Sequence, residues 1–266
     1  SMLEDNVILQ KNDPTYWQRV EAAANGRADL MRAWRFGDWD IVAGGMFDDI
    51  WKPQIHILPA FEIPHTWSIY RAMDWGSSHP FSVGWWAKSD GTQAPNGQYY
   101  PRDSVFRIAE WYGWNGKPNE GLRMLAAEVG RGIVAREQQM GVEGRVQPGA
   151  ADAAMWAAEN GVCIADDVER GGAVFIPSDK SPGSRQSGAE MMRKYLRAAL
   201  ESPKETPGLY VFESCRQFIR TIPVLPRDDK HPDDVDSSAE DHVYDETRYF
   251  LMTPAREVST VKIQGI

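Results

Sequence analysis

The sequence predicts an α/β fold in which a mixed five-stranded sheet carries helices on both faces. Three observations point there. Three strand-like runs follow one another between residues 67 and 111, with a hairpin signal between the second and third. Helical periodicity takes over from residue 122 and then alternates with short apolar runs. A hydrophobic fraction of 42% over 266 residues is enough for a sizeable core.

Residues 67–74 alternate for most of their length and end in an acid, Asp74, followed by Gly76. Residues 81–87 are a second, bulky strand. Asn96-Gly97 marks a hairpin turn before a third strand over residues 105–111. Leu122, Leu125, Ala126, Val129 and Ile133 recur at helical spacing behind a cap at Asn119, and Gly141 sits where that helix should stop. A fourth strand runs from Arg145 into Gly149-Ala150-Ala151-Asp152, again ending in an acid. A further short strand falls at residues 174–176. Ser187 and Glu190 form a capping box opening a helix with Met192, Tyr195, Leu196 and Ala199 on one face. Residues 209–212 form a strand and residues 215–220 a short helix. Ser237 and Glu240 form a second capping box, starting a final helix through Leu251. The order β-β-β-α-β-α-β-α is the connectivity of RNase H-like folds. Trp85, Trp86, Trp111 and Trp114 are expected to fill the sheet faces.

The first 66 residues read differently. Residues 14–24 suggest a helix with Trp17, Val20 and Ala24 on one side, which Gly37-Asp38-Trp39-Asp40 and Gly44-Gly45-Met46-Phe47 then interrupt. Pro53, Pro59 and Pro64 stud a connector-like stretch. The expected organisation is a linker or remnant over 1–66, the α/β domain over 67–255 and a tail over 256–266. Ser1-Met2 reads as a scar of tag removal.

Composition narrows the function classes. No apolar run approaches the about 20 residues that span a bilayer. Two cysteines, Cys163 and Cys215, leave no disulfide framework and favour a reducing compartment. A net charge of -9 argues against a protein that coats nucleic acid. Nine acidic residues lie between Arg227 and Arg248, and an enzyme holding divalent cations needs such carboxylates.

Three acids occupy telling positions. Asp74 ends the first strand, Asp152 follows the fourth, and Asp245 lies on the last helix with His242 and Asp241 one turn earlier. In the expected fold the first and fourth strands are neighbours and the last helix crosses their ends, so the acids converge. Two Mg2+ or Mn2+ ions on such a cluster would hydrolyse a phosphodiester. Asp74 is the expected bridging ligand, with Asp152 and Asp245 completing the two shells and His242 ligating or moving a proton. Glu110, at the end of the third strand, is a rival ligand. Each acid also has a plainer reading: a turn for Asp74, a helix cap for Asp152, a solvated helical face for Asp245, a strand-end surface residue for Glu110.

At these residues the sequence resembles the large terminase subunit of tailed bacteriophages. The family's first nuclease motif matches Met73-Asp74-Trp75-Gly76-Ser77-Ser78-His79-Pro80, the second Gly149-Ala150-Ala151-Asp152, and the last Asp241-His242-Val243-Tyr244-Asp245-Glu246-Thr247-Arg248-Tyr249. The residue 37–47 stretch resembles the segment these proteins carry between motor and nuclease. The resemblance implies a metal-dependent endonuclease of the host cytoplasm that cuts concatemeric double-stranded DNA during packaging. It also implies the portal protein and the small terminase subunit as partners of the intact motor. No Gly-x-x-x-x-Gly-Lys-Ser/Thr loop occurs, so an ATPase motor would lie outside this chain. Lys88, Arg102, Lys180, Arg185, Arg193 and Lys194 are candidates for tracking phosphates. Competing readings are a non-catalytic portal or small-terminase docking module, a resolvase or transposase of the same superfold, and a carbohydrate-active enzyme with paired carboxylates and a tryptophan platform.

Overall fold

A computed structural model describes residues 45–117, 119–158 and 161–253. The helix expected over 14–24, the segment around Gly37 to Asp40 and the tail over 256–266 lie outside the described residues. The elements are α1 (Pro53–His56), β1 (Ile57–Leu58), β2 (Ser68–Asp74), β3 (Ser82–Lys88), β4 (Val105–Tyr112), α2 (Ala126–Gln139), β5 (Val146–Ala151), α3 (Ile164–Arg170), β6 (Ile176–Pro177), α4 (Ser184–Ala199), β7 (Leu209–Phe212), α5 (Arg216–Thr221) and α6 (His242–Met252). Short 3-10 turns occupy Ala153–Trp156 and Ile222–Val224.

The strands form one seven-stranded sheet in the order β1-β7-β4-β3-β2-β5-β6. β3 runs antiparallel to both β2 and β4, while β5 joins β2, and β7 joins β4, in parallel. The strands expected over 67–74, 81–87, 105–111, 145–152 and 209–212 form the body of the sheet, and the short strand expected at 174–176 is β6. β1 and β6, two residues each, extend its edges. β3 lies at the centre and is buried along nearly its whole length, as a strand covered on both faces must be.

One face buries Met73, Val83, Trp85 and Ala151 beneath Val129 and Ile133 of α2 and Val168 of α3. The other buries Ile69, Trp86 and Phe106 beneath α4 and α6, through Met192, Leu196, Val243 and Phe250. Trp86 stacks on Phe250 at 4.6 Å and 10°. Such a pair adds about 0.5–1.5 kcal/mol to its area burial. Apolar residues of the described segment 45–65, part of which was read from sequence as connector, belong to this second core. Met46, Phe47, Ile50 and Trp51 are buried, and β1 pairs with β7. Prolines obscured the signal, yet these apolar side chains around them pack.

Three helix starts differ from expectation. The Asn119 cap does not open α2, because the amides of Gly121 and Arg123 donate to the carbonyls of Ser78 and Ser77 and cannot enter a helix. Asn119 and Arg123 turn the chain back with φ of 54° and 56°. α2 starts at Ala126, where the Glu128 carboxylate accepts from the Leu125 amide at 3.0 Å. Gly183, with φ of 86°, starts α4 one turn early, leaving Ser187 inside the first turn. The Ser237/Glu240 box does not form, since Glu240 is held by Arg220 at 2.8 Å and by the Tyr112 hydroxyl at 2.7 Å. α6 therefore begins at His242, with Asp241 as its cap residue. Among the described residues, no helix is long and apolar enough to cross a membrane.

Candidate active site

β2 and β5 run side by side and end together. Ala151 pairs with Met73, and the Asp152 amide donates to the Met73 carbonyl at 3.0 Å. The main chain itself sets Asp74 and Asp152 next to each other. Past Asp74, the carbonyls of His79 and Pro80 lie where a Cβ on Gly76 would sit, so only glycine lets the loop fold back this tightly.

α6 packs across these strand ends and brings Asp241, His242 and Asp245 with it. His242 Nδ1 lies 3.1 Å from Asp74 Oδ2, and its Nε2 lies 2.9 Å from Asn119 Oδ1. Asn119 Oδ1 accepts from the Nε2–H of the ring, and Nδ1 faces Asp74, whose carboxyl is held toward its protonated form. Burial favours that proton. Asp74 is 6% exposed, and burial first, then the charges of Asp245 and Asp152, hold its carboxyl well above the usual range. Asp241 is pushed up to about 7 by burial, then by Asp245 and Asp74. The same pocket raises the Tyr249 phenol, through burial and then Asp74, Asp245 and Asp152. Asp74 thus feels the charges of Asp152 and Asp245, and Asp241 those of Asp245 and Asp74.

Basic side chains answer that charge. Lys180 pairs with Asp152. Arg185 reaches Asp234 at 3.0 Å, Asp245 at 3.5 Å and Asp241 at 3.7 Å. Arg248 holds Asp245 at 3.1 Å. Asp152 also accepts from the Ala154 amide at 3.0 Å, so its plainer role as a cap is filled too. Among the described residues, no three His, Cys, Asp or Glu side chains stand ready to hold a metal ion in this arrangement. The donor chemistry nevertheless fits a hard divalent cation. Asp74 is a buried carboxyl beset by like charges, and the oxygens around it are the ligands Mg2+ and Mn2+ prefer.

The rival ligand Glu110 is engaged elsewhere. Its carboxylate accepts from the Gln217 and Phe218 amides at 2.6 and 3.2 Å, capping α5. Of the basic candidates, Lys180 and Arg185 are at the site and line a cleft of about 270 Å³ with Asp245, Arg248 and Tyr249. Arg193 instead ties Asp49 and the Met46 carbonyl to α4. Lys88 lies over the Tyr70 and Phe250 rings at 5.1 and 5.3 Å, and burial lowers its pKa. Arg102 is exposed, and Lys194 lines a separate cleft of about 670 Å³ with Arg193 and Arg197. Sequence reasoning missed Asn119 as the partner of His242, having read it as a cap. No sequence signal marked that role, since the left-handed φ that asparagine tolerates is visible only in the fold.

No family model and no curated protein matches the chain. Solved structures do. The large terminase of a thermophilic bacteriophage, in complex with ATP-gamma-S, matches with a TM-score of 0.59 and 16% identity, over 95% of this chain and 54% of that one. The P22 large terminase nuclease domain matches with a TM-score of 0.55 and 17% identity, over 78% of this chain and 90% of that one. The chain spans about half the length of the thermophilic phage protein. These likenesses, with the sheet order above, show that the chain has the RNase H-like fold of terminase nuclease domains.

Proposed function

We propose that this chain is the nuclease domain of a bacteriophage large terminase subunit, a divalent-metal-dependent endonuclease acting on double-stranded DNA during genome packaging. The observation that carries the reading is the meeting of Asp74, Asp152 and Asp245 from two adjacent strand ends and one crossing helix. Fold alone would not suffice. In this reading Asp74, Asp152 and Asp245 would hold the divalent cations, with Asp241 beside them. Bound Mg2+ or Mn2+ would supply a water acidified toward neutral pH and charge stabilisation at the leaving oxygen. His242, whose other ring nitrogen is held by Asn119, would orient the Asp74 carboxylate. Arg248 holds Asp245 in place.

The part of the expected 1–66 linker that precedes the core residues from Met46 onward would link the nuclease to an ATPase motor, with portal and small terminase subunits as partners of the assembled machine. A non-catalytic docking module is the second reading, favoured by the cations now paired with Asp152 and Asp245. The experiment is plasmid cleavage with Mn2+. Wild type should nick and linearise the plasmid, and Asp74→Ala or a chelator should abolish cutting. Binding to portal or small subunit without any cleavage would favour the docking module.

A further inference from the structure

We propose that Lys180 and Arg185 are exchangeable counter-ions, which neutralise the carboxylates in the free protein and pass to a DNA phosphate when divalent cations take those carboxylates. The inference rests on the nuclease reading and adds how metal and substrate binding are coupled.

The geometry argues for exchange. Lys180 contacts Asp152, and Arg185 reaches both Asp245 and Asp241. These are the oxygens a hard cation needs, and an ammonium and a divalent ion on one carboxylate repel each other. The basic side chains around the site are not equally free to move. The Arg248 side chain is 3% exposed and locked against Asp245. Lys180 and Arg185 have side chains 47% and 31% exposed, so both can swing outward. Arg185 also keeps a second anchor, its Nε donating to Asp234 at 3.0 Å, which would hold the side chain at the rim after Asp245 is released. Both line the cleft beside Asp245, where the phosphates flanking a bond under attack would pass. A released ammonium and guanidinium there meet the groups they bind best.

Two measurements on the full chain test this. In calorimetric titration with Mn2+ and no DNA, Lys180→Gln should bind Mn2+ roughly two- to fivefold more tightly than wild type, the worth of a half-exposed ion pair. Lys180→Arg should return toward the wild-type affinity. In fluorescence anisotropy with a labelled duplex at fixed ionic strength, adding Ca2+ should tighten wild-type binding, and Lys180→Gln should lose that gain. Unchanged or weaker Mn2+ affinity in Lys180→Gln, or an undiminished Ca2+ gain, overturns the exchange and leaves the nuclease reading standing. A wild type that takes up no Mn2+ overturns both.

Discussion

Trp85 and Trp86 are adjacent on β3, and their indole N–H groups donate to glutamates on opposite faces of the sheet, Glu137 of α2 at 3.0 Å and Glu246 of α6 at 2.6 Å. Each glutamate is also paired with an arginine from a flanking strand, Arg71 of β2 or Arg107 of β4. The two helices that sandwich the sheet are thus pinned by matching polar anchors at its centre. Glu246 neighbours Asp245, so the second anchor also sets where the site's helix lies.

That anchor is fully buried, and removing one partner should be costly. Glu246→Ala would leave the fully buried Arg107 guanidinium with only the longer contact from its Nε to Glu110, at 3.4 Å. We expect a loss of about 3–5 kcal/mol in chemical denaturation. Gly84→Ala should act through the same place, because an added Cβ meets both Glu246 and Arg107. A Glu246→Ala protein as stable as wild type would show that the pair is not the anchor.

Stability without divalent cations should fall as pH rises through the acid to neutral range. The folded chain holds Asp241 at about 7 against an ordinary 3.8, and Asp74 moves the same way. Below the lower value both folded and unfolded chains are protonated and these groups contribute no difference. Between the two values the unfolded chain binds fewer protons, so each rise in pH favours unfolding. Melting temperatures of wild type minus Asp241→Asn, measured from pH 4 to pH 8, should decline across that window. Mg2+ should restore the difference at pH 8.

Glu110 gives a contrast within the same fold. Its carboxylate caps α5 from a distant strand, so Glu110→Ala should cost about 0.5–2 kcal/mol, the usual worth of a cap. Mn2+ affinity per folded molecule should stay at the wild-type value. A loss of metal binding without a loss of stability would return Glu110 to the ligand set.

Asn119 should matter through His242. Asn119→Ala removes the acceptor that fixes the ring's tautomer and orientation. Partners of this kind are worth roughly 10–100-fold in metal affinity or activity. Cleavage rates and Mn2+ titration per folded molecule should both report the loss, beside a stability cost of about 1–2 kcal/mol from alanine at a left-handed φ.

How much of this was legible in sequence follows from what each signal measures. Alternation and a terminal acid placed β2 correctly, and the strand order made β5 its neighbour, so Asp74 and Asp152 could be paired before any coordinates. Helix starts were less legible. A Ser-x-x-Glu pattern marks a capping box only if its members are free, and Glu240 is taken by Arg220 and Tyr112 from other elements. The short α3 was missed because its acidic first turn, Asp166 and Asp167, masks a face that buries little beyond Val168. The pairing of the carboxylates with Lys180 and Arg185 was beyond reach, since these lie in a different stretch of chain and meet the acids only through the fold.

The tether between the Asp152 amide and the Met73 carbonyl has one more implication. The gap between the first two acids is written into the peptide ladder and resists change by any side-chain replacement nearby. The third acid rides on α6, whose seat can shift by fractions of an ångström when the packing beneath it changes. If the proposed nuclease reading holds, attempts to retune the centre for a larger or smaller ion should therefore leave the strands alone and work on the underside of that helix.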